Sequence, residues 1–402
     1  MTIKPSDIQI ADLRGAQRLA TDATLGLTDL VEALHHTILR TPGVLGRAPD
    51  GPTRGITGLV YKSVRGITRL VGGSVDALLG LLAPLVAERP SSEEREALLA
   101  VLNGLFGDHL HDSGNPLAIR MRFREAGTPV VIGRDALAAR YPAATGKIVV
   151  LVHGLCMNDL QWTRNGHDHG QSLARDAGFT PVYLHYDTGR HVSSNGRDFD
   201  GLLDSLLREW PVPIERVALI GHSMGGLVAR SACHYAAQGR SAWLERLDAL
   251  VFLGTPHLGA ALERAGAWAD FLLRISPYTA PFERLGKARS AGIKDLRHGS
   301  LRDEDWQPEP AALRHARASV PLPQGVRSTA IAASKSVREA GSGARMIRSD
   351  GLVAVHSALG RHRDASLDLA IPEAQRCVFY GIDHFDLLDD ARVYARIRDA
   401  VG

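Results

Sequence analysis

The chain has 402 residues, of which 45% are hydrophobic and 23% charged; these are the proportions of a globular protein with a large core, not of a disordered or fibrous one. Lysine and arginine number 47 against 44 aspartates and glutamates, a formal net charge of +3. With no dense basic run, so small an excess argues against a nucleic-acid partner.

Residues 1 to about 140 read as helical. Ile10, Leu13, Leu19, Leu25, Leu27, Leu30, Val31, Leu34 and Ile38 recur near a period of 3.6, and Thr41-Pro42-Gly43 stops them. A Gly/Pro-rich turn, Pro49 to Gly55, leads to a second pattern running from Ile56 to Leu82. Its spacings (Ile56, Leu59, Val60, Val64, Ile67, Leu70, Val71, Val75, Leu78, Leu79, Leu82) keep one face apolar, with Lys62, Arg65 and Arg69 on the other. A capping-type start at Ser91-Ser92-Glu93-Glu94 announces a third helix carrying Leu98, Leu99, Val101, Leu102 and Leu105. Two readings of this region stand side by side. One is a helical subdomain that packs on the rest of the chain or on a second subunit. The other is peripheral contact with a lipid surface, since a basic face is paired with an apolar one.

From about residue 145 short β-branched runs alternate with helical stretches: 147–152, 180–184, 216–220, 249–253, 328–332 and 376–380. Nearly continuous apolar strands separated by helices predict a mostly parallel sheet in an α/β domain, 141–402, with its site at the carboxyl ends of the strands. Between about 260 and 327 the alternation lapses. Trp268, Phe271, Leu272, Leu273, Ile275, Tyr278 and Phe282, followed by the charged stretch Lys294 to Trp306, read as a cap or lid insertion.

Gly221-His222-Ser223-Met224-Gly225 follows directly on the 216–220 strand and precedes a helical pattern (Leu227, Val228, Ala229, Ala232, Tyr235). That context is the one a nucleophile elbow requires, and it makes Ser223 the candidate nucleophile. A serine alone is a poor nucleophile and needs a base, an orienting acid and oxyanion donors. At the end of the 147–152 strand, Gly154 lets the backbone turn so that the N–H of Leu155 points toward that of Met224. His153 belongs to the turn and reads as structural. His384, after the last strand, is the candidate base, ahead of His257, His298, His315, His356 and His362. For the acid, Asp350 in Ser349-Asp350-Gly351 precedes the last strand, as the order serine, acid, histidine asks. Asp383 and Asp386 are the alternatives.

Five stretches resemble, in this order, the bacterial triacylglycerol lipases: Leu151 to Leu155, Gly221 to Gly226, Gly254-Thr255-Pro256-His257-Leu258-Gly259, Ser349 to Val353 and Asp383-His384-Phe385. They are also similar to the wider lipase group that includes inositol-deacylase-like α/β-hydrolases. The resemblance covers roughly 145–402 and leaves 1–140 without a family reading. It implies an α/β-hydrolase fold, a Ser223, Asp350 and His384 triad, Leu155 and Met224 as oxyanion donors, and a hydrophobic or lipid ester as substrate. Asp386 falls where such lipases place one calcium ligand, but no second carboxylate accompanies it, so no metal or other cofactor is expected. His167-Asp168-His169 reads as a solvated loop.

The expected activity is therefore carboxylic ester hydrolysis (esterase or lipase) through an acyl-enzyme. The alternatives are an acyltransferase or thioesterase with the same triad, or a lipid- or granule-surface binding protein acting through its N-terminal helices. Cys156, Cys233 and Cys377 form neither a disulfide framework nor a zinc pattern, and Met1 to Arg14 lacks an apolar signal core. The longest apolar run, Ala77 to Ala87, is about half of the ~20 residues that span a bilayer. The expectation is a cytoplasmic protein, its oligomeric state left open.

Overall fold

A computed structural model describes residues 9–40, 55–82, 91–260, 290–307, 320–336 and 349–402. They fall into two compact units. The smaller comprises the described part of Met1–Arg95 together with Leu110–Ala118, the larger Glu96–His109 and the described part of Ile119–Gly402.

In the smaller unit, α1 (Ile10–Arg40) and α2 (Gly55–Leu82) pair antiparallel. Among the described side chains, hydrogen bonds and ion pairs cross the seam. The Asp76 carboxylate accepts from Arg14 and Arg18, and Gln17 donates to the Gly72 carbonyl at 3.0 Å. Arg65 reaches Asp29 and Glu32. On α2, Val60, Val64, Ile67, Leu70 and Val71 are all exposed. Arg65, on the face opposite those residues, pairs with two carboxylates of α1.

The larger unit is built on an eight-stranded sheet of order β2-β1-β4-β3-β5-β6-β7-β8. The strands are β1 Arg122–Glu125, β2 Thr128–Pro129, β3 Lys147–Val152, β4 Thr180–His185, β5 Arg216–His222, β6 Leu247–Leu253, β7 Arg327–Ser334 and β8 Arg376–Tyr380. From β4 across to β8 every pairing is parallel. The two-residue turn Ala126-Gly127, both at positive φ, folds β2 back on β1, and β1 joins β4 antiparallel. Residues 122–129, assigned from sequence to the helical region, thus belong to the sheet. Four residues with arginine at two positions are too short and polar to show a strand period.

The central strands are buried along nearly their whole length. Helices α6 (Val192–Glu209) and α7 (Met224–Gly239) pack together on one side, with α7 against β3, β5 and β6. The others in chain order are α3 (Glu93–Asp112), α4 (Arg134–Arg140), α5 (His169–Ala177), α8 (Ala291–His298), α9 (Val355–Ala358) and α10 (Ala391–Val401). Of these, α5 and α10 contact each other, with α5 on β3 and β4 and α10 on β6 and β7. Of the expected cap, residues 290–307 and 320–327 are described; Trp268 to Phe282 lie outside the described residues. No described helix is long and apolar enough to cross a membrane.

Candidate active site

Strand β5 ends at His222, and Ser223 makes the joint to α7 at φ 53, ψ −122. That left-handed backbone is costly for a residue with a Cβ and is held by its surroundings. The Ser223 N–H donates to the Leu253 carbonyl at the end of β6, 2.8 Å away. The glycines around the serine are steric requirements. A Cβ on Gly221 would lie 2.5 Å from Gly226, and one on Gly225 would lie 2.0 Å from the Val152 carbonyl. The tight turn therefore sets Ser223 at the start of α7, where the helix dipole favours developing negative charge.

The turn after β3 lies beside it. A Cβ on Gly154 would come within 3.1 Å of the Ser223 Cβ, so Gly154, just before Leu155, passes directly alongside the serine. Met224 is the first residue of α7, so its N–H has no acceptor within the helix. The Leu155 N–H donates to no described group. Cys156 follows at φ 58, and its N–H donates to Thr188 Oγ1 at 3.1 Å. Behind this turn runs the Glu96–His109 stretch of α3, where a Cβ on Gly104 would meet Cys156 Sγ at 2.2 Å. Cys156 is buried, and burial pushes its thiol well above the ordinary range.

His153, read as structural, stacks on Tyr186 with ring centroids 4.5 Å apart, and its Nδ1 lies 3.0 Å from the Gly154 carbonyl. Burial holds its pKa down to about 4. It is a neutral prop of the turn.

His384 and Asp350 meet in the interior, the histidine 1% exposed and the aspartate 0%. Asp350 Oδ2 accepts from His384 Nδ1 at 2.6 Å, while Oδ1 accepts from the backbone N–H of Leu352 (2.9 Å) and Val353 (2.7 Å). With Nδ1 donating to the carboxylate, Nε2 is left as the basic nitrogen; it has no hydrogen-bond partner among the described residues. His222 lies alongside, ring centroids 4.7 Å apart, and donates from Nε2 to the His384 carbonyl at 3.1 Å. Burial, first among its causes, keeps the His222 pKa well below the usual value, so no second cation crowds the base. Gly254, at φ +59, leaves the space in which the imidazole lies: a Cβ there would meet His384 Cε1 at 2.9 Å. Sequence reasoning missed His222 and Gly254 as supports for the base, although both lie in stretches it had singled out.

The two alternative acids are engaged elsewhere. Asp383 accepts from the Phe385 and Asp386 N–H groups, and Asp386 accepts from the Asp383 N–H. His167-Asp168-His169 is not a solvated loop. Asp168 caps α5, and His169 is buried with Nε2 3.0 Å from the Leu387 carbonyl. Among the described residues no group of three His, Cys, Asp or Glu side chains is arranged to hold a metal ion.

A PGAP1-like alpha/beta domain family matches residues 143–332, from β3 to most of β7. No curated protein matches the chain. Among solved structures it is similar to the mature lipase of Bacillus licheniformis, at 17% identity over 70% of this chain and 98% of that one, TM-score 0.42. An esterase of Pyrococcus furiosus aligns at 13% identity over 65% and 84%, TM-score 0.39. Phospholipase PlaB of Legionella pneumophila aligns at 21% identity over 53% and 44%, TM-score 0.33. The matched family segment contains both the strained serine and the parallel strands that carry it, and a strand-to-helix elbow of that kind is the joint on which one superfamily is built. The larger unit therefore has an α/β-hydrolase fold, with residues 143–332 matching the PGAP1-like family.

Proposed function

We propose that the protein is a serine hydrolase of carboxylic esters, with Ser223 as nucleophile, His384 as general base and acid, and Asp350 as its orienting carboxylate. The observation that carries this reading is the 2.6 Å contact between Asp350 and His384, which leaves a bare, buried Nε2 on the histidine. In this scheme His384 Nε2 takes the Ser223 hydroxyl proton as Oγ attacks the ester carbonyl. The N–H groups of Leu155 and Met224 receive the oxyanion. Collapse of the tetrahedral species expels the alcohol, protonated by His384, and leaves an acyl-serine. Water then repeats the sequence with His384 again as base, releasing the acid. Asp350, hydrogen-bonded to His384 Nδ1, steadies the imidazolium as it forms. An ester with an apolar acyl group suits the family resemblance of the motifs.

The test is a chromogenic ester series of increasing acyl length on wild type and Ser223→Ala, with mass-spectrometric mapping of a fluorophosphonate adduct. Activity at some chain length, lost at least 10³-fold in the variant, and labelling at Ser223 are expected. Wild-type rates no higher than those of Ser223→Ala across the series would overturn the proposal.

A further inference from the structure

Parallel pairing of β3 with β4 sets each residue of β3 opposite the one 32 places later, from Ile148 on Thr180 to Val152 on Leu184. Carried past the strand ends, the same register sets Gly154 beside Tyr186 and Cys156 beside Thr188. The backbone ladder does not follow, because Cys156 turns to φ 58. Side-chain oxygens of the residues after β4 replace the backbone partners. The Tyr186 hydroxyl donates to the His153 carbonyl at 2.8 Å, and Thr188 Oγ1 accepts from the Cys156 N–H at 3.1 Å. The first of these holds the peptide group between residues 153 and 154, the second the one between 155 and 156. The single peptide group between the two carries the Leu155 N–H, and Gly154 on its near side passes alongside Ser223.

Both hydroxyls belong to buried side chains, so loss of either leaves a peptide group that water cannot readily satisfy. Burial, first among its causes, raises the Tyr186 phenol well above its ordinary value, which keeps it a donor. The segment that bears the hydroxyls is itself braced. Asp187 Oδ1 accepts from the Gly189 N–H at 2.9 Å, and Asn195 of α6 donates to the Asp187 carbonyl at 2.9 Å. A Cβ on Gly189 would lie 2.1 Å from the Asn103 carbonyl of α3. A phenyl ring and a valine would fill the same space; what the two hydroxyls add is direction. We propose that Tyr186 and Thr188 are positioning residues, whose hydroxyls hold the peptide between Gly154 and Leu155 so that the Leu155 N–H faces the oxyanion formed at Ser223. The inference rests on the proposed hydrolysis and deepens it, since both residues act through the backbone of the turn.

The experiment compares Thr188→Val, Thr188→Ser and Tyr186→Phe with wild type by ester kinetics and by hydrogen–deuterium exchange of the turn. Thr188→Val keeps the shape and removes the acceptor, so kcat should fall about 10²-fold with KM within about two-fold. Tyr186→Phe keeps the stack on His153 and should lower kcat about ten-fold. Thr188→Ser returns the oxygen and should stay within about three-fold of wild type. Exchange in the turn should quicken in Thr188→Val and Tyr186→Phe but not in Thr188→Ser, with circular dichroism unchanged. Tyr186→Phe removes one atom and decides the matter alone should Thr188→Val not fold. Wild-type exchange in both variants that lack a hydroxyl overturns the inference, whatever the turnover. So does quickened exchange with kcat unchanged, or a Thr188→Ser enzyme as slow as Thr188→Val. A wild type that turns over no ester overturns the hydrolase reading, and exchange still decides whether the hydroxyls hold the turn.

Discussion

At the scale of single residues, the environment of Asp350 explains why one carboxylate out of three next to His384 is positioned to orient it. Its Oδ1 is held by two backbone N–H groups of its own turn, which leaves Oδ2 directed at the imidazole. Asp350→Asn keeps the shape but offers an amide where the carboxylate stood, so the wrong imidazole tautomer is favoured. On the proposed mechanism kcat falls about 10³- to 10⁴-fold with KM little changed, measured on the best ester of the series. A loss below about ten-fold would rule Asp350 out as the orienting acid. The sequence favoured Asp350 over Asp383 and Asp386 by chain order, but the direction of its carboxylate was not legible, because it is set by local turns and by a contact spanning 34 residues. The Asp-Gly turn and the position before the last strand were legible, because glycine at φ +105 is what such a turn requires.

Among the elements, α3 does something its own periodicity does not announce. Its Glu96–His109 stretch lies against the turn that presents the Leu155 N–H, with Gly104 touching Cys156 and Gly107 touching Asp187. Ser290 at the start of α8 donates to the Gly104 carbonyl at 2.7 Å, so the described part of the expected cap is tied to the same helix. Gly104→Ala places a methyl 2.2 Å from Cys156 Sγ, and the sulfur must move with the turn. If Leu155 is an oxyanion donor, kcat drops about 10²-fold while KM holds. Adding Cys156→Gly should restore it, since glycine removes the sulfur and accepts the φ of 58 without strain. A Gly104→Ala enzyme with unchanged kcat would separate α3 from the oxyanion turn. The helix itself was readable from its capping start and apolar spacing; its role was not, because close packing through glycine leaves no hydrophobic signature.

Across the whole molecule, buried histidines set the response to acid. Burial lowers His153 and His169 to about 4 and holds His185, His222 and His257 well below 6.5. In the unfolded chain each binds a proton near pH ~6.5, so between about 6.5 and 4 the unfolded state carries more protons and stability falls as pH falls. Asp187 acts in the opposite sense. Burial raises its carboxyl to about 7, so its contribution is full below its unfolded pKa and is lost as pH rises toward 7. Burial also raises the Asp159 carboxyl, and the five histidines outweigh these two groups. Urea midpoints should therefore decline steadily from about pH 7 to about pH 4.5; a flat or rising profile would contradict the neutral state of these histidines.

The sequence by itself determined the kind of sheet, the positions of its central strands, the elbow at Ser223 and the three long N-terminal helices. Each of these is written in local spacing: apolar runs buried on two faces, a glycine wherever a Cβ would collide, a 3.6-residue recurrence. Only the tertiary structure decided that residues 122–129 extend the sheet, that Asp350 and not its neighbours faces His384, and that Val60, Val64, Ile67, Leu70 and Val71 of α2 are exposed. Those outcomes depend on which partner a segment finds. A periodic pattern records that a helix has two faces, but ion pairs to a distant helix choose which one turns in.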